Sequence, residues 1–206
     1  MKLKIIDDND MLQNIYIYYD NKTGEGVIID PGHNTEEIVD EIEDLNIKGI
    51  LLTHGHYDHI TKAKKIKNLT SSIICCHRLE ENMLKNADIN LSSKRKGKEP
   101  ISLVPDKLFE DGEEFAFADT CFKVIHVPGH TGGCVSYYDE KNGVLFTGDT
   151  LFRESVGRTD LPESDRSLIT PSIKDKLFTL PDDTKVYPGH GQPTTIGYEK
   201  AHNKYV

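Results

Sequence analysis

The order of apolar and polar positions predicts alternating strands and helices in the first third of the chain. Residues 13–19 and 25–30 are rich in β-branched and aromatic residues and flank a polar turn at 20–24, which is typical of a β-hairpin. Apolar residues then recur at helical spacing up to about residue 46. This helix is expected to begin at Thr35, whose hydroxyl group is suited to cap it.

The same kinds of pattern continue along the rest of the chain. Further strands are predicted at 49–53, 72–76, 114–118, 121–127, 134–139, 143–147 and 185–187. Helices are predicted at 61–69, at 78–85 and within 165–179, where Pro171 is expected to kink or delay the helix. Residues 86–105 are polar and irregular and are interpreted as a flexible insertion. Mixed strands and helices without a low-complexity linker predict an α/β fold in one domain over residues 1–206.

Composition and charge narrow the class of protein. Of the 206 residues, 36% are hydrophobic and 29% are charged, which is usual for a soluble globular protein. The formal net charge is -9, so nucleic acid is not an expected partner, because phosphate contacts need clustered Lys and Arg. One basic run at 94–98 is interpreted as a solvated loop.

No targeting or membrane segment is expected. The start MKLKIIDDND carries acidic residues where a signal peptide needs an apolar run. No stretch approaches the roughly 20 apolar residues of a membrane helix. The cysteines form no C-x-x-C pair, and Cys75 and Cys76 lie in an apolar run where they are expected to act as small hydrophobes. These features together predict a cytoplasmic protein with no membrane partner.

The stretch THGHYDH at 53–59 crowds three imidazoles and a carboxylate directly after a predicted strand. His54 and His56 are two residues apart and face the same side of an extended backbone. Asp58 continues this spacing if the backbone stays extended, and His59 then comes from a turn into the next helix. So many polar groups in a short space are costly unless they are paired, which points to a metal ion.

Three further candidate ligands each follow an apolar or β-prone run, beside glycine. They are His130 in PGHTGG, Asp149 in FTGDT and His190 in YPGHG. With the first cluster they give seven nitrogen and oxygen donors, which suggests a site for two ions. The other histidines are not assigned to the site: His33 and His202 are expected at the surface and His126 in strand packing, and His77 is left open.

These four motifs, in this order, resemble those of the metallo-β-lactamase superfamily. The runs GDTLFRESVGRTDLPESD at 148–165 and YPGHGQPTTIGYEK at 187–200 are similar to short bacterial members of its glyoxalase II-like (hydroxyacylglutathione hydrolase-like) group. The resemblance covers the chain from about residue 13 to its end and implies an αββα four-layer sandwich. It also implies the ligands of the two metals: His54, His56 and His130 for the first, Asp58, His59 and His190 for the second, and Asp149 as the bridge.

The sequence departs from the family pattern at a few positions. Thr61 and Lys62 follow Ile60 where the family often has two glycines, and Cys134 stands where serine is common. Full-length glutathione-thioester hydrolases also carry a C-terminal helical domain that helps to bind glutathione, whereas this sequence ends soon after His190. The acyl group and the thiol of the substrate are therefore left open.

The resemblance implies a metal-dependent hydrolase that cleaves a thioester, as in hydroxyacylglutathione, with a metal-activated hydroxide at a dinuclear site. Asp58 and Asp149 are the expected catalytic residues: both offset positive charge and orient the hydroxide, and Asp58 is a candidate to accept its proton. Two divalent cations are expected as cofactors. Imidazole ligands suit zinc, and mixed histidine and carboxylate donors also hold iron or manganese. The expected partner is a small thioester-like molecule, and the sequence does not indicate an oligomeric state.

Two alternatives use the same residues differently. The run GRTD at 157–160 is similar to one in persulfide dioxygenases of this superfamily, which would hold a single iron with His56 or His54, His130 and Asp149. A non-catalytic metal-binding module is the other alternative, although structural zinc prefers four closed protein ligands. A loop with Arg153, Arg158 and Asp160 follows Asp149; it either borders the pocket or is stabilised by an Arg–Asp pair.

Overall fold

Two six-stranded β-sheets pack face to face in the computed structural model of the chain, which describes residues 1–7 and 13–206. The strands are β1 (Lys2–Asp7), β2 (Asn14–Tyr19), β3 (Glu25–Ile29), β4 (Asn46–Leu51), β5 (Ile73–His77), β6 (Lys107–Phe109), β7 (Glu114–Phe117), β8 (Thr120–His126), β9 (Val135–Asp139), β10 (Val144–Gly148), β11 (Leu151–Phe152), β12 (Ser155–Val156), β13 (Lys185–Pro188) and β14 (Thr194–Thr195). The α-helices are α1 (Thr35–Ile42), α2 (Tyr57–Ile60), α3 (Ala63–Thr70), α4 (Glu81–Lys85), α5 (Arg166–Asp175) and α6 (Ile196–His202). Short 3-10 helices lie at Arg78–Glu80, Ser92–Lys94 and Leu177–Thr179.

The first sheet has the order β1-β2-β3-β4-β5-β6, and the second has the order β14-β13-β10-β9-β8-β7. In the first sheet β1 to β3 pair antiparallel, and β3 to β6 pair parallel. In the second sheet β10 and β13 are parallel and the other neighbours are antiparallel. Because parallel neighbours end at the same edge of a sheet, the loops after β10 and β13 start next to each other.

Aromatic side chains fill the space between the two sheets. The ring of Tyr18 from β2 lies 5.6 Å from that of Phe122 and 5.7 Å from that of Phe146, both of the second sheet. The hydroxyl group of Tyr18 donates a hydrogen bond of 2.9 Å to Asp139, so the polar end of the buried ring is satisfied. Alternate residues of each strand therefore face this common core.

Helices cover the outer face of each sheet. The cluster between the first sheet and helices α1 and α3 includes Ile17, Ile28, Ile38 and Ile66. The cluster between the second sheet and helices α5 and α6 includes Leu145, Ile173, Val186 and Ile196. The layers are therefore helix, sheet, sheet and helix, and the predicted αββα sandwich is confirmed.

Several element boundaries differ from the sequence prediction. The N-cap of α1 is Asn34 and not Thr35; it has a left-handed φ of 45° and its side chain makes no capping hydrogen bond. The helix ends at Ile42, because the chain from Asn46 already pairs with β3 as strand β4. Strands β1 and β6 were not predicted, since β1 is a largely exposed edge strand and β6 has three residues.

Two further segments need correction. The helix predicted from Thr61 is preceded by α2, so Asp58 lies in a helical turn and not on an extended backbone. Helix α5 continues through Pro171. Residues 86–105 are irregular as predicted, but Asn90 is buried and its amide donates to carbonyl groups of neighbouring segments. Across residues 1–7 and 13–206, every helix is too short or too polar to cross a membrane.

Candidate metal centre

The seven predicted ligands come together at one edge of the paired sheets, in loops that follow strands. They are His54, His56, Asp58, His59, His130, Asp149 and His190. Hydrogen bonds join the loops that carry them. The Val135 N–H donates to the Thr53 carbonyl at 2.9 Å and links the two sheets, and the Gly189 N–H donates to the Gly148 carbonyl at 2.8 Å. The strand framework thus fixes the relative positions of segments that are far apart in sequence.

His54, His56 and His130 form the first group of potential ligands, with ligand atoms all within 4.8 Å of one another. Nδ1 of His56 lies 2.9 Å from Nε2 of His130. Nδ1 of His130 lies 2.8 Å from the carbonyl oxygen of Arg158, so this nitrogen carries the proton. Nε2 of His130 then keeps its lone pair toward the other two rings, as a metal ligand requires.

Asp58, His59 and His190 form the second group within the same 4.8 Å limit. Helix α2 presents Asp58 and His59 from a single turn. Oδ2 of Asp58 lies 3.4 Å from Nε2 of His190 and 3.8 Å from Nε2 of His59. His59 from helix α2 and His190 from the loop after β13 therefore face the same carboxylate.

Asp149 lies between the two groups. Its Oδ1 is 3.4 Å from Nε2 of His59, and its Oδ2 is 3.6 Å from Nε2 of both His130 and His190. Gly189 leaves the room for this carboxylate, because a Cβ atom at that position would lie 2.3 Å from Oδ1. One side chain thus lies within 3.6 Å of ring nitrogens in both groups.

Buried polar atoms at the centre fit a divalent cation. Within the described part of the chain, Nε2 of His54, Nε2 of His59 and Oδ1 of Asp149 are buried and have no hydrogen-bond partner. Such atoms are costly to bury unless they have a partner, which a cation would provide. Ligand bonds of about 2.0–2.1 Å in a tetrahedral site place ligand atoms about 3.3 Å apart. The separations of 3.4 Å and 3.6 Å around Asp149 are close to that value.

The protonation states of His54, His56 and the two carboxylates suit metal binding. Burial, aided by neighbouring histidines, lowers the pKa of His54 well below its usual value and that of His56 to about 3. Burial raises the pKa of Asp58 and Asp149, but His59 and His190 outweigh it and hold both pKa values below their usual range. Neutral imidazoles and ionised carboxylates are the forms that bind cations.

His59 and His190 behave in the opposite way. Burial lowers the pKa of each ring, but Asp149 and Asp30 beside His59, and a hydrogen bond from His190 to Asp58, raise both pKa values above normal. The neighbouring carboxylates therefore favour the protonated form of each ring, and a divalent cation would compete with that proton.

Asp30 supports the site and was not singled out from the sequence. Its Oδ1 accepts from the Thr53 N–H at 2.8 Å, and its Oδ2 accepts from the Thr53 hydroxyl at 2.6 Å and lies 2.9 Å from Nδ1 of His59. These contacts orient His59 so that Nε2 faces Asp149. Asp30 also groups with His54 and His59 as a potential ligand, but hydrogen bonds already engage both of its oxygens. Its position at a strand end, before Pro31, was the available signal.

Glu80 is the second supporting residue that sequence reasoning missed. It is 1% exposed and joins the loop of His54 and His56 to the loop of His130. Oε2 accepts from the Gly55 N–H at 2.7 Å, and Oε1 accepts from the Thr131 hydroxyl at 2.6 Å and the Gly133 N–H at 2.8 Å. Nothing in the sequence around Glu80 separates it from its half-buried neighbour Glu81.

The residues whose roles were left open are placed as follows. Arg158 and Asp160 form a bidentate, exposed ion pair with distances of 2.7 Å and 2.8 Å. Arg153 packs over the ring of Tyr198, away from the ligands. The Arg158–Asp160 ion pair thus stabilises its loop, and the Arg158 carbonyl in this loop orients His130.

The other histidines lie outside the two ligand groups. His202 is exposed as predicted, and His126 stacks on His77 with ring centroids 4.2 Å apart. His33 is half-buried and Nε2 of its ring lies 2.8 Å from the Gln13 carbonyl oxygen.

Comparisons with known proteins cover the whole site. The sequence matches the family model described as "Metallo-beta-lactamase superfamily" over residues 8–190. The hydroxyacylglutathione hydrolase GloC of Haemophilus influenzae is 36% identical over 210 residues, which cover 100% of this chain and 98% of that protein. Among solved structures, the BLEG-1 B3 metallo-beta-lactamase has a TM-score of 0.92 and 38% identity, and covers 99% of both chains. TTHA1623 in a di-iron-bound form has a TM-score of 0.86 and 33% identity, and covers 98% of this chain and 100% of that chain.

Proposed function

The chain belongs to the metallo-beta-lactamase superfamily, and on this premise we propose that it is a dinuclear metal-dependent hydrolase that cleaves thioesters. The observation that carries the proposal is the position of Asp149, within 3.6 Å of ligand nitrogens in both groups. A carboxylate in that place would be able to hold two cations. The similarity to a hydroxyacylglutathione hydrolase supports a thioester as the bond that is cleaved. We propose the seven residues as the ligands, in one domain of a cytoplasmic protein whose four cysteines are free thiols.

The cations and the side chains of this protein have different roles in the proposed reaction. Divalent cations at such a site lower the pKa of water toward neutrality and stabilise negative charge on a carbonyl oxygen. Asp149 keeps the two ligand groups at a fixed separation. Asp58, ionised and beside the cavity mouth, orients the attacking water and accepts its proton. His130 is fixed by the Arg158 carbonyl and His59 by Asp30, so neither ring has to reorient during the reaction.

The mononuclear iron alternative uses fewer of these side chains. Two histidines and one aspartate would leave Asp58, His59 and His190 without a role, although the three lie within 4.8 Å of one another. A non-catalytic module is disfavoured by the cavity that opens beside Asp58, since structural metal sites are closed. Zinc is the proposed metal, with iron as the next candidate because a similar protein has a di-iron form.

Elemental analysis combined with a substrate panel tests the proposal. Protein purified without added metal salts should contain about two divalent ions per chain and should hydrolyse lactoyl-glutathione or another thioester. A β-lactam and glutathione persulfide complete the panel. About one iron per chain with oxygen consumption on the persulfide would favour the dioxygenase. Cleavage of the β-lactam alone would contradict the thioester assignment, and bound metal without any turnover would favour a non-catalytic module.

Substitution of single ligands tests the assignment to two groups. Asp149→Ala should lose both ions and the activity, because the bridge serves both positions. His190→Ala should lose one ion in preference to the other. His202→Ala, at an exposed histidine, is the matched control and should keep both ions and the rate. Two bound ions in the Asp149 variant would contradict the bridging role, and two in the His190 variant would contradict its place in the second group.

A further inference from the structure

A cavity of about 320 Å³ opens directly beside the second ligand group. Asp58 lines both the cavity and the metal centre, and its neighbour Tyr57 forms part of the cavity wall. The rest of the wall includes Lys62, Arg95 and Lys98, and we call this space the basic cavity. A molecule bound in it would extend from the reacting centre toward these three cations.

In the part of the chain that the structure describes, nine of the 25 Lys and Arg residues pair with a carboxylate, and the cations of the basic cavity are not among them; what sets these three apart is that they line one space. Lys4, Lys67 and Lys176, for example, each pair with a carboxylate at 2.5 to 2.9 Å. Within residues 1–7 and 13–206, Lys62, Arg95 and Lys98 form no salt bridge. Burial, together with Arg95, Lys65 and Lys98, lowers the pKa of Lys62. Three like charges thus share one mouth in a chain whose net charge is -9.

Both the side chain and the backbone of Arg95 are held in place by contacts. Its guanidinium carbon lies 5.1 Å from the centroid of the Tyr57 ring, as in a cation–π pair. The backbone N–H of Arg95 donates to the Ser92 carbonyl at 3.2 Å. The buried Ser92 hydroxyl in turn accepts from the backbone N–H of Ile101 at 2.8 Å. The guanidinium group is therefore presented from an anchored segment, although the sequence suggested only a solvated loop.

The same segment is joined to the metal centre. The Tyr57 N–H, one residue before Asp58, donates to the Asn90 carbonyl at 3.0 Å. The buried Asn90 amide in turn donates to the Met83 and Ile101 carbonyls at 3.1 Å and 3.0 Å. The position of the cations is thereby linked to the position of the catalytic carboxylate.

We propose that the basic cavity binds the anionic part of the substrate, so that the enzyme prefers thioesters with carboxylate or phosphate groups near the scissile bond. This inference rests on the proposed thioester hydrolysis at the same site. Arg95 and Lys98 would contact the anion, because guanidinium and ammonium groups form strong, charge-assisted hydrogen bonds with carboxylates and phosphates. They are specificity-determining residues, whereas Asp58 and the metal ligands carry the reaction.

Paired substrates and paired variants test the inference. Arg95→Gln/Lys98→Gln removes two charges that line the cavity, and Lys94→Gln/Lys96→Gln removes two exposed charges of the same segment that do not line it. The first variant should lose about tenfold or more in kcat/KM for lactoyl-glutathione, mainly through KM. It should keep its rate on the neutral lactoyl thioester of N-acetylcysteamine. The control variant should match the wild type on both substrates, and all forms should retain their metal.

Direct binding separates this inference from the proposed hydrolysis. S-methylglutathione is a thioether that cannot be hydrolysed. Titration calorimetry with this ligand measures its affinity for the basic cavity even if the protein cleaves no thioester. Binding should weaken about tenfold or more in Arg95→Gln/Lys98→Gln and stay unchanged in the control. Lactoyl-coenzyme A as substrate and coenzyme A as ligand, tested in the same way, distinguish phosphate from carboxylate as the source of the anion. Equal losses in both variants, or no loss of affinity for either anion, would overturn the inference.

Discussion

At the scale of single residues, the geometry of the first ligand group depends on the hydrogen bonds that Glu80 accepts. Burial raises its pKa, while hydrogen bonds from Thr131, Gly55 and Gly133 favour the ionised form. Its two oxygens accept three hydrogen bonds from the loops on either side of the histidines. Glu80 contacts none of the proposed ligand atoms, so it acts as a positioning residue.

Glu80→Gln should therefore weaken metal binding as well as stability. The amide oxygen can still accept from Thr131 and Gly133, but the amide nitrogen then faces the Gly55 N–H, and two donors oppose each other. Leaving a buried group unsatisfied costs about 1–3 kcal/mol in the free energy of unfolding. Denaturant titration of the metal-free protein measures this cost, and competition with a chelator measures metal affinity.

Glu81→Gln is the control for Glu80→Gln. Glu81 is half-buried and pairs with the exposed Lys85, so its loss should change the free energy of unfolding by less than about 0.5 kcal/mol. Metal affinity of this variant should equal that of the wild type. If Glu80→Gln behaves like Glu81→Gln in both measurements, Glu80 does not position the loops.

These two glutamates also mark the limit of residue-level prediction. The seven candidate ligands could be named from the sequence because each follows an apolar run and lies beside other ligands or glycine. Asp30 had the same strand-end signal, with Gly32 and His33 close behind it, but it lies outside the four motifs that gave the ligands. Glu80 acts through backbone groups of residues 25 to 53 positions away, and such contacts leave no local pattern.

At the scale of elements, the close approach of the two sheets depends on a glycine. Gly49 is buried in β4, and a Cβ atom at this position would lie 2.6 Å from Cζ of Phe115 in β7. The ring of Phe115 fills the space that a side chain on β4 would need. Long apolar strands such as β9 and β10 were predictable from their sequence, but this contact was not, because it joins different sheets.

Gly49→Ala should destabilise the protein by about 1–3 kcal/mol, since overpacking forces side chains or backbone to shift. Phe115→Leu should cost about 1 kcal/mol alone through lost packing, and it should relieve part of the cost when it is combined with Gly49→Ala. Denaturant unfolding of the two single variants and the double variant gives the coupling energy. A coupling below about 0.5 kcal/mol would mean that the two positions do not compete for the same space.

At the scale of the whole molecule, the site exists only when the two sheets are joined. Asn14 of the first sheet donates its N–H to the Gly189 carbonyl beside β13 at 2.8 Å, and the Val135 N–H of the second sheet donates to Thr53. Periodicity predicted most of the strands, and the family resemblance supplied the four layers. Neither gave the order of the strands or the bonds between the sheets, because these depend on contacts between segments up to 177 residues apart.

The pH dependence of folding is a property of the whole molecule to which His77 makes a defined contribution. His77 is 3% exposed and stacks on His126. Burial, with His126 beside it, lowers the pKa of His77 from 6.5 to about 4 in the folded protein. Between these values the unfolded chain binds a proton that the folded chain does not, so the free energy of unfolding decreases as the pH falls through this window. The stabilising effect of higher pH is fully present above 6.5, the usual pKa value.

His77→Asn should remove this dependence, because the amide does not titrate and its oxygen can still accept from the Leu79 N–H as Nδ1 does. The free energy of unfolding of the wild type, minus that of the variant, should fall by about 2–3 kcal/mol between pH 7.5 and 4.5. Both proteins are measured without metal, so that loss of the ions from the histidine ligands does not contribute. A difference that stays constant over this range would mean that the folded state does not resist protonation of His77.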